Sequence, residues 1–516
     1  GRSGDNVSVN AATGNLLISH QDEFLIGLGP DAAISRSYNS LQDVADGDNG
    51  DHWQQSTTRR VFGLTGTVNT AGSTVSRLGA DGSVIVYGWD AGRNAYVTKD
   101  GAGAFDTLIK SGSEWVWTDG DSQAKEYYEA AQASGEYRIR SAADIDGNAL
   151  TFTYVAGSDK LDKVTTADGS WTQYSWSGNA VTQVVTGYTD LATQTGKTLT
   201  RIRYGYDGQG RLETVTTDLT PGDNSVADAD VFVTTYTYDG ATNRIASISQ
   251  SDGALLAVTY DGAGRVLTLT QTVASGVTRV TTFAYGASHT EVTGPDGQVT
   301  RLDYDSQNRL TQLTAPPATA GAAAQTVQFS YDADGNLHTV TDGKGKVTRY
   351  AYDANGNNTK VTDPTGRIVT RTYDENNRLI TEKSVGSDES GAKVTHYAQY
   401  AYDTEGHLRF TVDAAGRVTE YRYTAAGQLA RTISYAEHSR TAGAAAIGNA
   451  EMEAWVASLA DRSSVRVAEN VYDARGNLVL GKAYGTADSS GNPLTSEGVT
   501  TVHYVYDQAG NLRESW

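Results

Sequence analysis

The residues Val347–Gly366, VTRYAYDANGNNTKVTDPTG, decide the fold. Their first part, Val347–Tyr352, alternates residues between two faces and is rich in β-branched and aromatic side chains, which is typical of a strand. Asp353 then ends the strand, because its short carboxylate can accept the backbone N–H groups of a turn, and Gly356 supplies a positive φ. A second strand follows over Thr359–Thr362 before the next turn. The stretch therefore predicts a β-hairpin.

The same pattern returns along the chain as Tyr-x-Tyr-Asp, two or three residues, then Gly-Asn, Gly-Arg or Asn-Arg, and usually Leu. From Tyr331 to Tyr352 to Tyr373 the steps are 21 and 21 residues, and longer steps indicate loop insertions. A fixed period is the signature of a repeat architecture. We assign a structural role in the repeat to Tyr206, Asp207, Gly210, Tyr238, Asp239, Tyr331, Asp332, Gly335, Tyr352, Asp353, Gly356, Tyr402, Asp403, Gly406, Tyr506, Asp507 and Gly510.

Two strands and two turns within about 21 residues leave no room for a crossover helix, so the pairing is expected to be largely antiparallel. One hairpin alone is marginal in water, so we expect the hairpins to stack into one long continuous sheet. Tyrosines at regular positions would then lie next to each other on neighbouring strands. Such aromatic pairs contribute roughly 0.2–1 kcal/mol each.

Composition agrees with a large β protein and excludes several functions. The chain has 516 residues with 56 Gly, 7 Pro and 30 Tyr, which indicates many tight turns in an ordered protein. Its formal charge of −20 opposes binding to nucleic acid or to an anionic membrane surface. The absence of cysteine excludes disulfides and thiol nucleophiles. No apolar run approaches 18 residues, so no membrane span is predicted.

These repeats resemble the Rhs/YD-repeat family, which includes Rhs polymorphic toxins, the shell components of Tc toxins, and teneurins. The likeness covers roughly Tyr137 to Trp516. The opening segment is also similar, in Thr13–Leu16 and Ser35–Ser40. The resemblance implies an all-β fold, a continuous antiparallel hairpin sheet that spirals into a hollow shell. It also implies a variable toxin, made from the C-terminal region and held inside.

Two departures from the family are visible. Rhs toxin cores end in a motif with Asp-Pro-x-Gly-Leu, whereas here Asp363–Gly366 is followed by Arg367 and lies in the middle of a repeat, so we interpret it as a turn. The repeats stop at Trp516 without the capping segment that an array needs for solubility. We therefore expect a longer polypeptide, or an array that continues in another chain.

The repeat pattern predicts four regions. Residues 1–136 form a β-rich opening segment, 137–434 the repeat array, 435–470 an insertion, and 471–516 the continued array, cut short. Within the insertion, Met452, Trp455, Val456 and Leu459 follow helical spacing, with Asn449 as a cap. This predicts one short amphipathic helix with Trp455 and Leu459 buried. It either docks on its own sheet or serves as a plug or partner-docking element.

No catalytic motif is present, since Gly-x-Ser-x-Gly, a P-loop and His-Glu-x-x-His are all missing. We therefore expect no enzyme, no catalytic residue and no cofactor. Acidic residues in the repeat turns are expected to serve the backbone rather than Ca²⁺ or a glycosidase reaction. The weak candidates for a metal site are Asp46, Asp48 and Asp51, in a Gly-rich loop.

Two functions remain open. The first is a non-catalytic structural shell of an Rhs-type toxin that encapsulates a C-terminal toxic cargo for delivery to target cells. Its partners would be its own toxin domain or a further shell segment, and a secretion or delivery apparatus. The second is a cell-surface adhesion or glycan-binding protein. In both cases we expect a bacterial protein that is secreted or at the cell surface, although no signal is visible in this chain.

Overall fold

The described part of the chain is almost entirely antiparallel β-sheet with one helix, as the sequence predicts. The computed structural model describes residues 5–27, 29–42, 49–98, 106–120, 122–133, 135–144, 147–190, 195–225, 227–317, 319, 323–387, 390–495, 498–507 and 510–516. Within these ranges, no helix has the length and apolar character needed to cross a membrane.

The strands of the first half are β1 (Asn6–Asn10), β2 (Asn15–Leu25), β3 (Ala32–Asn39), β4 (Trp53–Gln55), β5 (Arg60–Thr65), β6 (Thr74–Leu78), β7 (Val84–Asp90), β8 (Ala95–Val97), β9 (Thr107–Ser111), β10 (Glu114–Thr118), β11 (Lys125–Ala130), β12 (Tyr137–Ala143), β13 (Ala149–Tyr154), β14 (Leu161–Thr165), β15 (Trp171–Ser177), β16 (Ala180–Asp190), β17 (Thr195–Tyr206), β18 (Leu212–Asp218), β19 (Val231–Tyr238), β20 (Ile245–Gln250), β21 (Leu255–Tyr260) and β22 (Val266–Ala274).

The remaining elements are β23 (Val277–Tyr285), β24 (His289–Thr293), β25 (Val299–Tyr304), β26 (Leu310–Ala315), β27 (Gln325–Tyr331), β28 (Leu337–Thr341), β29 (Val347–Tyr352), β30 (Asn358–Thr362), β31 (Ile368–Tyr373), β32 (Leu379–Ser387), β33 (Lys393–Tyr402), β34 (Leu408–Val412), β35 (Arg417–Tyr423), β36 (Leu429–Ser439), α1 (Asn449–Ser458), β37 (Arg466–Tyr472), β38 (Leu478–Tyr484), β39 (Val499–Tyr506) and β40 (Leu512–Ser515).

The hairpin that opened the sequence analysis is β29 and β30, with Tyr350 opposite Val361. Gly356 has φ 82°, the left-handed conformation that its turn requires. The register shifts by one residue between Ala351 and Tyr352, and most hairpins of the array show the same shift just before their last tyrosine. Such bulges increase the local twist, so the repeat itself curves the sheet.

Two further arrangements lie at the start of the chain. Strands β1 to β4 form a separate sheet in that order, here called the N-terminal sheet. From β5 onward each strand pairs with the next, and β12 also pairs back to β5, with Tyr137 opposite Val61. This pairing closes β5–β12 into a barrel. The second half of β12, from Ser141, pairs with β13, so β12 also begins the long ribbon β13–β40.

The ribbon has two chemically different faces, which can be followed from strand to strand through the register. One face carries Tyr204, Tyr236, Phe329 and Tyr350 and is called the tyrosine face. The opposite, threonine face carries polar residues over most of its length, among them Thr216, Gln312, Gln328, Thr339, Lys360 and Thr370. The hydrophobic pattern of period two therefore fixes which side of the ribbon can be covered.

The N-terminal sheet covers the tyrosine face of the early ribbon. Its residue Tyr38 donates a hydrogen bond from its hydroxyl to the carbonyl of Asn243, and the Trp53 ring lies 4.8 Å from that of Tyr236. Buried side chains of both layers, such as Leu16 and Ile248, form one continuous core with the barrel interior. The first half of the molecule is therefore two layers thick.

The middle of the ribbon is a single layer. None of the described residues from Glu291 to Ile380 is buried, and the strands β25 to β31 have half-buried or exposed side chains on both faces. A sheet normally buries at least one face against another element. This part of the ribbon is consequently a wall rather than one side of a core.

The helix α1 packs on the threonine face of the late ribbon, where that face becomes apolar at Ala401 and Phe410. Met452 and Val456 are its buried residues. The sequence predicted Trp455 and Leu459 as buried, and this was wrong. Both are half-buried at the margin of the contact, with the Trp455 ring 5.6 Å from that of Tyr435.

The predicted helix cap was also wrong. Gly448 is the N-cap and makes no side-chain cap hydrogen bond. Asn449 is already the first helical residue, and its side chain donates to the Glu453 carboxylate at 3.2 Å. Because the cap position has no side chain, the helix depends on its contacts with the sheet.

Candidate functional site

Each repeat turn is built around its aspartate. In Asp353 one carboxylate oxygen, Oδ1, accepts the backbone N–H groups of Asn355 at 2.9 Å and Asn357 at 3.0 Å. The other, Oδ2, accepts the side-chain amide of Asn357 at 3.0 Å. Both oxygens of the carboxylate thus accept hydrogen bonds from their own turn. These hydrogen bonds stabilise the backbone of the turn.

Where arginine replaces this asparagine, the turn gains an ion pair. The guanidinium of Arg211 lies 2.7 Å from the Asp207 carboxylate, which also accepts the N–H of Gln209 at 2.8 Å. Partial burial by itself raises the pKa of Asp207, but hydrogen bonds from Arg211 and Gln209 outweigh it and hold that pKa below its usual value. The same balance lowers the pKa of Asp261, Asp305 and Asp413.

The motif tyrosine connects one hairpin to the hairpin before it. Tyr238 donates its hydroxyl to the carbonyl of Leu212 at 2.6 Å, and the Arg211 guanidinium lies 4.3 Å from the centre of its ring. Equivalent hydroxyl-to-carbonyl bonds are made by Tyr154, Tyr206, Tyr260, Tyr285, Tyr331, Tyr373, Tyr402, Tyr423 and Tyr472. The sequence predicted aromatic pairs between tyrosines on neighbouring strands. In the described repeats, hydrogen bonds and cation–π contacts connect neighbouring hairpins instead.

The acidic loop proposed as a weak metal site has a different role at the residue that the structure describes. The carboxylate of Asp51 accepts the backbone N–H of Trp53 at 3.0 Å and that of Leu212 at 2.8 Å. Asp51 therefore joins the N-terminal sheet to the ribbon. Asp46 and Asp48 lie outside the described residues.

Within the described residues, one group could offer three ligand atoms to a metal ion. Carboxylate or imidazole atoms of Asp403, Glu405 and His407 lie within 4.8 Å of one another. His407 occupies the position that other turns give to asparagine or arginine, and its backbone N–H already donates to Asp403 at 2.8 Å. The group is thus a variant of the repeat turn.

Sequence reasoning missed the buried charges inside the barrel. The Glu126 carboxylate contacts the guanidinium groups of Arg77 and Arg59, and the hydroxyl of Tyr128. Burial raises its pKa, but the two arginines and the hydroxyl lower it to about 2. These partners lie just before β5, on β6 and on β11, so no local spacing in the sequence could reveal them. They form a paired ionic network among the buried apolar side chains of the barrel.

A second buried acid of the barrel behaves in the opposite way. Burial raises the pKa of Asp106 to about 6, although its Oδ1 accepts the N–H of Gly120 at 2.9 Å. Its Oδ2 accepts the indole N–H of Trp117 at 3.1 Å. Among the described residues, no arginine or lysine lies at hydrogen-bond distance from Asp106, so its ionised form is poorly compensated.

The ribbon returns to the start of the chain. Turns of its middle part touch the barrel, where Arg93 donates to the carbonyl of Ala354 at 3.2 Å and Asn377 donates to the carbonyl of Gly120. These partners are far apart in sequence. The single-layer wall therefore curves back to the barrel instead of extending away from it.

A later turn joins the end of the ribbon to the N-terminal sheet. The Arg475 guanidinium donates to the carbonyl of Leu199 at 2.5 Å and lies 3.5 Å from the buried carboxylate of Glu23. Gly476, at φ 74°, allows this close approach, because a Cβ there would stand 2.4 Å from a side-chain carbon of Ile26. The last hairpins are thereby fastened to the N-terminal sheet.

A continuous antiparallel ribbon of Tyr-Asp hairpins that curves back to its own beginning defines a YD-repeat shell. The chain belongs to the Teneurin YD-shell family, whose model matches residues 144–513. It is accordingly a structural shell segment.

No curated protein matches the chain. Among solved structures it is similar to TcdB2-TccC3 without its hypervariable C-terminal region, at 14% identity and TM-score 0.39, over 94% of this chain and 28% of that one. It is also similar to the Tc holotoxin pore of Photorhabdus luminescens carrying a TccC3 mutation, at 13% identity and TM-score 0.36, over 96% and 27%. The chain thus spans less than a third of the length of these structures.

Proposed function

We propose that this chain is a length of non-catalytic wall around a space that holds a C-terminal toxic segment of the same polypeptide. One observation carries the proposal: from Glu291 to Ile380 the described wall is one layer thick and accessible on both faces. A sheet of this length that served only as a scaffold would be expected to bury one face. A wall that encloses a cargo leaves its inner face available.

The return of the ribbon to the start of the chain supports the same proposal. Because Arg475 fastens the late ribbon to Glu23 and Leu199, the wall surrounds a space instead of forming an open arm. Enclosure would keep a toxic segment from harming the producing cell until delivery. In this proposal the partners are the toxin segment or a further shell segment, and a delivery apparatus, for a secreted or surface-exposed bacterial toxin.

The proposal is tested by labelling the two faces of the wall in the full-length polypeptide. This chain contains no cysteine, so an engineered cysteine is the only reactive thiol in this part of the polypeptide. Val327 and Gln328 are neighbours on β27 and point to the tyrosine face and the threonine face. The tyrosine face of the early ribbon shares one core with the barrel interior, so in this proposal the tyrosine face lines the enclosed space. We expect a bulky polymer maleimide to label Gln328→Cys and to leave Val327→Cys unlabelled until the protein is denatured.

A small maleimide serves as the control, since it should reach both thiols in the folded protein. Equal labelling of both variants by the bulky reagent would contradict enclosure. A C-terminal segment that proteases digest while the repeats stay intact would contradict it as well. Either result would favour an adhesion protein that uses both faces of its sheet.

A further inference from the structure

The outermost strand of the N-terminal sheet has an unprotected edge. Strand β1 pairs with β2 and, within the described chain, with no other strand. Its sequence, Asn6-Val7-Ser8-Val9-Asn10, has no charge and no proline, and its register with β2 has no bulge. Natural sheets normally protect an edge strand with a charged residue, a proline or a bulge, because an open edge can pair with another chain.

The hydrogen bonds of the neighbouring strand show which groups of β1 are free. Leu16 of β2 donates its N–H to the Ser40 hydroxyl at 2.8 Å, and its carbonyl accepts the N–H of Ser40 at 3.0 Å. Its backbone therefore points away from β1. Leu16 is opposite Val9, so the N–H and C=O of Val9 also point away from the partner strand, to the open edge. Because this direction alternates along a strand, the N–H and C=O of Val7 point to the open edge as well.

A trough lies beside this edge. It has a volume of about 540 Å³, and its floor is the tyrosine face of β20 to β23, with Ile248, Leu256, Leu269 and Gln271 among its lining residues. Four strands at a spacing of about 4.8 Å make this floor roughly 15 Å wide, which matches an extended segment of about five residues. The length of β1 itself is five residues.

The rest of the N-terminal sheet already uses the same kind of surface. Val7 and Val9 pack their side chains on the ribbon, while Asn6 and Ser8 point away from it and are exposed. A strand added to β1 would continue that sheet over the same tyrosine face. The floor of the trough also carries Gln250, Gln271 and Arg279, so the alternate side chains of the strand would rest on its apolar part, at Leu256 and Leu269.

We propose that the edge of β1 and the trough beside it bind an extended polypeptide strand with apolar side chains at alternate positions, by strand addition. The backbone groups of Val7 and Val9 would bind the backbone of the strand, and Leu256 and Leu269 its side chains. A second copy of this chain does not fit the site, because its own β1 lies against its own ribbon. The inference stands apart from the enclosure proposal.

Hydrogen exchange resolved to single residues tests strand addition in the whole chain. The probe is a short synthetic peptide in which valines alternate with threonines and lysines cap both ends. We expect it to slow the exchange of the Val7 and Val9 amides by about tenfold or more, a free-energy change of about 1.4 kcal/mol. The Ser8 amide, which points to β2, should be unchanged.

Two tryptophan variants on β22 provide the matched comparison. Gln271→Trp fills the trough and should abolish the protection, whereas Thr270→Trp places the same ring on the threonine face and should leave it intact. A peptide of the same composition with consecutive valines should protect neither amide.

Three results would overturn the proposal. The first is no protection at a saturating concentration of the alternating peptide. The second is equal protection by the peptide with consecutive valines, which would indicate unspecific apolar adhesion. The third is protection of Val7 and Val9 without peptide in a chain that has dimerised.

Discussion

The hydroxyl of Tyr331 lies 2.8 Å from the carbonyl oxygen of Leu310, a residue of the preceding hairpin. The guanidinium of Arg309, which belongs to the turn before Leu310, lies 4.6 Å from the centre of the same ring. One side chain thus receives two contacts from the neighbouring unit. In a wall without a buried core, such contacts between hairpins must supply much of the cohesion.

Removing this hydroxyl should weaken the wall. We expect Tyr331→Phe to lower the free energy of unfolding by about 1 kcal/mol, the usual contribution of one hydrogen bond. Tyr350→Phe is the control, since within the described chain no hydrogen bond of the Tyr350 hydroxyl is present, and it should be close to neutral. Denaturant unfolding of both variants measures the difference. Equal losses would show that the ring, and not the hydroxyl, connects the hairpins.

The motif aspartate should contribute more to the free energy of unfolding than a neighbouring exposed carboxylate. Asp374 accepts the backbone N–H groups of Asn376 at 3.0 Å and Arg378 at 2.9 Å. Asp374→Ala should therefore cost about 1–3 kcal/mol of unfolding free energy. Glu375→Ala removes the same charge from an exposed position of the same turn and should cost little. Similar losses in both variants would contradict the role assigned to the motif aspartate.

The described residues show why the repeat could be predicted and the closure could not. The turn chemistry of Asp353 and Gly356 lies within five residues, so the sequence displays it directly. The pairing of Tyr137 with Val61 and the contact of Arg475 with Glu23 join distant parts of the chain. No local pattern specifies such contacts, and a single sequence does not reveal which register the curved sheet will choose.

The helix shows the same limit at a smaller scale. Its spacing predicted a helix correctly, because period 3.6 is a local property. Which residues of the apolar stripe are fully buried depends on the rotation of the helix on the sheet. That rotation is set by Phe410 and Ala401 on other strands, and it favours Met452 over Trp455.

Stability should depend on pH in two opposite ways. The turn aspartates with lowered pKa, such as Asp305, stabilise the fold above the unfolded value near 4, and this is lost as the pH falls through their folded values. Burial raises the pKa of Asp106 to about 6, so its ionisation costs stability as the pH rises from about 4 through 6. We expect the melting temperature to be highest between these two ranges.

The variant Asp106→Asn separates the two contributions. It keeps an acceptor for the Gly120 N–H and removes the ionisation, so the decline in melting temperature between pH 4 and 6 should flatten. The decline below pH 4 should remain, because the turn aspartates are unchanged. An unaltered slope above pH 4 would show that Asp106 is not the titrating group.

Chelation should leave the melting temperature unchanged. The aspartates of the repeat turns are occupied by their own backbone, as Asp353 is by Asn355 and Asn357. His407→Asn, which restores the residue common in other turns, should likewise be neutral with and without added metal. A fall in melting temperature with EDTA that Ca²⁺ restores would contradict this account of the acidic turns.

The last prediction concerns whether α1 is part of the wall. Met452 is fully buried against the apolar part of the threonine face, together with Val456 and Phe410. Met452→Ala keeps a residue with high helix propensity, so its effect reports the lost contact and the cavity, which typically cost about 2–5 kcal/mol. Glu453→Ala, on the exposed side, is the control and should change stability by less than about 1 kcal/mol. If Met452→Ala proved neutral, the helix would not be docked in solution, and its apolar side would be available to a partner.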